Sequence, residues 1–61
     1  MAMTVLAKLQ AEVEAMLDRQ TENGRLDDMS QAYAYRRPAI IALTRVIHLI
    51  QSERANAGEP P

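Results

Sequence analysis

Apolar residues recur at alternating intervals of three and four along two stretches of the chain, with a polar gap between them. The first stretch carries Leu6, Leu9, Val13 and Met16, flanked by Val5 and Leu17. This spacing predicts an amphipathic helix with one narrow apolar stripe. Gln20 takes the next position of the seam, so the stripe fades toward its end. Thr4 is placed to cap the helix through its hydroxyl. Asn23-Gly24 is placed to stop it, with glycine free to adopt the left-handed conformation after the last turn. The first helix is therefore expected over about 4–23.

The second stretch is longer and cleaner. Leu26, Met29, Tyr33, Arg36, Ile40, Leu43, Ile47 and Ile50 alternate threes and fours without a slip. Asp27 or Asp28 is the expected N-cap, placing negative charge at the positive end of the helix dipole. Pro38 lacks an N–H and should kink or break the helix. The repeat nevertheless keeps its phase through Pro38, which falls opposite the seam. One kinked helix over about 28–53 is expected, and a break with Pro38 opening a third helix is the alternative. A turn over 24–27 and a flexible tail over 54–61 complete the layout. Helices joined by so short a turn must run antiparallel. The expected core sets Leu6, Leu9, Val13, Met16 and Leu17 against Met29, Tyr33, Ile40, Leu43, Ile47 and Ile50. The fold class is all-α: a single antiparallel two-helix hairpin domain over 1–61.

The second helix offers more apolar surface than the first can cover. Tyr35, Ala39, Ala42, Val46 and Leu49 form a second row beside its seam. Left in water, that row would forgo burial worth about 1.5–3 kcal/mol per large side chain. It is the expected partner interface. Either a second copy, giving a four-helix bundle, or another protein would cover it. A third stripe, Arg37, Ile41, Arg45 and His48, lies away from both rows and is a possible second docking face.

Composition narrows the chemistry. At 61 residues, and with 3% aromatic residues, the chain is too short for a large core and too poor in aromatics for a sheet. It has no cysteine and one histidine, so neither a disulfide nor a thiolate or histidine-rich metal site is available. Oligomerisation or a partner remains as the stabilising device. The net charge of −1 gives no general attraction to nucleic acid. Charge is uneven, however. Residues 4–23 carry Lys8 and Arg19 against Glu12, Glu14, Asp18 and Glu22, and residues 36–54 carry Arg36, Arg37, Arg45 and Arg54 against Glu53. The longest uninterrupted apolar run, Ala39 to Leu43, is far short of a membrane span. No basic stretch precedes an apolar run at the start, as a signal peptide would require. A cytoplasmic protein is expected, with no membrane partner.

Catalysis has little to work with. Ser52 follows His48 by one turn, but no third group or oxyanion donor accompanies them. Gly24 and Gly58 stand apart, so no phosphate loop forms. No enzymatic activity, small-molecule substrate or cofactor is expected. The segment from Asp28 to Ile41 shares a Ser-Gln start and an Arg-Pro-Ala-Ile stretch with bacterial helix-turn-helix repressors. It has no room for their turn between Gln31 and Pro38. In size and hairpin layout the chain is similar to plasmid copy-number regulators that dimerise into a four-helix bundle and bind RNA. Its glycine-containing turn, with Ala39-Ile-Ile-Ala-Leu43 and Val46-Ile-His-Leu-Ile50, also resembles the small needle co-chaperones of type III secretion. Both are likenesses of architecture over the whole chain. The expected function is a small protein–protein interaction module, an adaptor, chaperone-like subunit or inhibitor of bacterial or phage type. The alternative is a regulatory hairpin binding RNA or DNA through the basic face of the second helix.

Overall fold

The computed structural model describes residues 4–59 and contains two helices, α1 (Val5–Gln20) and α2 (Gln31–Asn56), packed against each other. Met1–Met3, read as a leader, and residues 60 and 61 of the expected tail lie outside the described residues. No strand occurs among the described residues.

Thr4 caps α1 as its position requires, accepting a hydrogen bond from the Ala7 amide at 3.1 Å. The other end differs from expectation. The helix stops at Gln20, before Asn23-Gly24. The Asn23 amide donates to the Asp18 carbonyl at 2.6 Å and the Glu22 amide to the Arg19 carbonyl at 3.3 Å. This is the paired closure that terminates helices on a left-handed residue, and here that residue is Glu22, at φ 52°. Asn23 at 61° and Gly24 at 81° continue in the same region. The Thr21 hydroxyl helps by bonding back to the Leu17 carbonyl at 3.1 Å.

The start of α2 is also displaced. Its N-cap is Ser30, whose hydroxyl accepts from the Tyr33 amide at 3.0 Å. Asp27 instead shapes the approach. Its carboxylate accepts from the Met29 amide at 2.9 Å, and its carbonyl takes the Ser30 hydroxyl at 2.7 Å. Neither Asp27 nor Asp28 sits in the first turn. The connection is thus 21–30, longer than the expected turn. Met29 falls before the helix and is exposed, which removes it from the expected core.

Helix α2 continues through Pro38 without a break. Both Pro38 and Ala34, whose carbonyl loses its usual donor, are exposed, so water can take the place of the missing N–H. The helix extends to Asn56, past the expected end at 53. Its terminus closes in the same manner as that of α1. The Glu59 amide donates to the Arg54 carbonyl at 2.9 Å and the Gly58 amide to the Ala55 carbonyl at 3.0 Å. Gly58, at φ 76°, is the left-handed residue.

The core is small. Val13, Ile40, Ile47 and Ile50 are the buried hydrophobic side chains among the described residues. Leu6, Leu17 and Leu43 pack against the cluster of Val13, Ile47 and Ile50. Leu9 and Met16, both expected in the core, are 45% and 42% exposed. The line of α1 that faces α2 runs through Leu6, Val13 and Leu17, which moves Leu9 and Met16 to its edge.

Candidate interaction surface

Polar clasps close the hairpin at both ends. At the connector end, Arg36 donates through Nη1 to the Gln20 carbonyl at 3.1 Å and lies 3.4 Å from Glu22 Oε1. A seam arginine thereby places its cation at the negative end of α1. At the open end, Arg54 donates to Gln10 Oε1 at 2.8 Å. Glu59 lies 3.8 Å from Arg54 and accepts a hydrogen bond from the Thr4 hydroxyl. These groups leave a groove of about 460 Å³ lined by Gln10, Gln51, Arg54, Ala55 and Glu59.

Between the clasps, the helix phases decide what each broad side presents. Relative to Val13, Leu9 and Met16 lie to one flank of α1. Relative to Ile47, Ala39 and Val46 lie to the same rotational flank of α2. Antiparallel neighbours are related by a local twofold normal to their common plane, so equivalent flanks emerge on the same side of the pair. Val5, Leu9 and Met16 therefore join Ala39, Ala42, Val46 and Leu49 on one broad side, with Tyr35 toward the connector end. Every one of these residues is exposed; Tyr35 reaches 89%, Val5 80% and Leu49 66%. All five positions read from sequence as a partner interface are on this side. The contribution of α1 was missed because Leu9 and Met16 were assigned to the core. Val5 was the remaining signal: it flanks the seam in the same direction as Leu9 and Met16.

The opposite side is mixed. Arg37, Ile41, Arg45 and His48 are exposed there, Ile41 at 42%. By the same phase argument Glu14 and Asp18 of α1 are turned toward this side. Arg45, His48, Leu49 and Ser52 line a shallow depression of about 310 Å³ on the outer face of α2, where the two broad sides meet. Among the described residues, no group of three or more His, Cys, Asp or Glu side chains could hold a metal ion, and no helix is long and apolar enough to cross a membrane. Comparison with family models, curated proteins and solved structures returns no match.

Proposed function

We propose that this chain is a non-enzymatic interaction module that acts by laying its apolar broad side against another polypeptide, as an adaptor, chaperone-like subunit or inhibitor does. The observation that carries the reading is the imbalance of apolar surface. Among the described residues four hydrophobic side chains are buried, while Val5, Leu9, Met16, Tyr35, Val46 and Leu49 remain exposed together on one side. Soluble monomers rarely leave a contiguous apolar face of that extent open. The simplest assembly that covers it is a twofold dimer forming a four-helix bundle.

The test is Val46→Glu with Leu49→Lys. Neither residue belongs to the cluster of Val13, Ile47 and Ile50, so far-UV circular dichroism in the cold should keep its helical signal, with a lower thermal midpoint. Assembly, read by light scattering coupled to size exclusion, should be lost. Binding to nucleic acid is the competing outcome. It would appear as tight, salt-sensitive association in a gel-shift titration, abolished by Arg37→Glu with Arg45→Glu. The net charge of −1 gives no general attraction to nucleic acid and favours the protein-docking reading.

A further inference from the structure

Resting on that docking reading, we infer that the occupant of the apolar side is a second copy of this chain, with the two α2 helices antiparallel and the twofold axis at the level of Thr44. The row on α2 runs Tyr35, Ala39, Ala42, Val46, Leu49 and Glu53. Turned about the level of Thr44, Val46 falls opposite Ala42 of the second copy and Leu49 falls opposite Ala39. Tyr35 falls opposite Glu53, where the phenol can donate to the carboxylate at the rim. Each apolar level thus sets a large side chain against a small one. That matching keeps the helix separation uniform, as ridge-into-groove packing at about 8–10 Å requires.

The neighbouring register does worse. Shifting the axis by one turn sets Ala39 against Ala42 but places Val46 opposite Tyr35, two large groups at one level. It leaves Glu53 with no partner in the row. The Thr44 axis also lies close to the midpoint of α2 (Gln31–Asn56), so both hairpins end flush and the shared surface is longest. The Cα framework measures about 40 × 20 × 13 Å, so a broad side is the largest face the hairpin can lay against a second copy.

The absence of cysteine makes single-cysteine variants clean reporters. Ala39→Cys, Ala42→Cys, Val46→Cys and Leu49→Cys all fall on exposed positions, and circular dichroism checks that each folds. The unmodified chain should elute at about twice its 6.8 kDa mass. With a short bis-maleimide, an equal mixture of Ala39→Cys and Leu49→Cys should convert about half of the chain, the share present as mixed dimer, to covalent dimer. Ala39→Cys or Leu49→Cys alone should give little, each standing about 15 Å along the axis from its own copy, whereas Ala42→Cys and Val46→Cys, at about 6 Å, should self-link. Strong self-linking by every single variant would mean parallel helices and overturn the inference. Preferred linking of Ala39→Cys to Ala42→Cys would mean the shifted register and overturn it equally. A sharply melting monomer at all concentrations would exclude the second copy. The docking reading itself would fall only if Val46→Glu with Leu49→Lys also left unchanged every protein that co-purifies from the native host.

Discussion

Glu22, Asn23 and Gly24 hold left-handed backbone in succession, and the conformation is not equally easy for the three. Glycine adopts it freely and asparagine tolerates it, whereas other residues pay about 1–2 kcal/mol. At Glu22 the carboxylate near Arg36 offsets part of that strain. Gly24→Ala and Gly58→Ala should each destabilise by about 1 kcal/mol in urea unfolding. An added Cβ meets nothing within 4 Å at either position, so the loss comes from the backbone alone. Ser30→Ala should lower stability by about 1 kcal/mol through the lost cap, and Asp28→Ala should stay within about 0.5 kcal/mol. Thr4 was legible as a cap because it directly precedes an uninterrupted helical repeat. Ser30 was not, because Asp27 and Asp28 are equally good capping types one turn earlier. The choice between them is set by the connector, whose path depends on Glu22 turning left-handed and on Arg36 reaching back to α1. Neither is a property of the local sequence.

Helix α2 is the element most plainly written in the chain. Its repeat of threes and fours carried through Pro38, and the helix does the same. Exposure of Ala34 to solvent limits the cost of the proline without removing it. Pro38→Ala should therefore raise stability by about 1–3 kcal/mol, seen as a higher thermal midpoint, since proline is about 3 kcal/mol worse than alanine inside a helix. Were Pro38 the first residue of a separate helix, the same change would gain nothing. The facing of α1 was harder to read. Two adjacent lines of apolar residues, Leu6-Val13-Leu17 and Leu9-Met16, sit within one stripe, and periodicity cannot say which line meets α2. Long-range polar contacts help decide it. Arg54 holds Gln10, and Arg36 holds the carbonyl of Gln20; both glutamines lie close to the Leu6-Val13-Leu17 line.

For the molecule as a whole, stability and assembly should be hard to separate. A core of Val13, Ile40, Ile47 and Ile50 is small for a free-standing domain. Ile47→Ala should cost about 2–5 kcal/mol and leave little folded protein. Leu49→Ala touches no part of that core, so its effect should appear elsewhere. The thermal midpoint of the unmodified chain should rise with protein concentration, as it does when association is linked to folding, and Leu49→Ala should flatten that rise. Calorimetry over a dilution series would check both. That α2 leaves apolar surface uncovered was legible from its width alone. That α1 contributes to the same side became visible only when the hairpin fixed which flanks coincide.

The clasp at the open end has one more consequence. Thr4 and Glu59 touch, so the order in which the two helices are strung is not essential to their packing. A linker of about five residues from Glu59 to Thr4, with the backbone opened at exposed Gly24 and Arg25, would make a circular permutant in which α2 precedes α1. That rearranged chain should fold to the same hairpin and keep the same apolar side, because the packing of Val13 against Ile47 and Ile50 is between helices rather than along the connector.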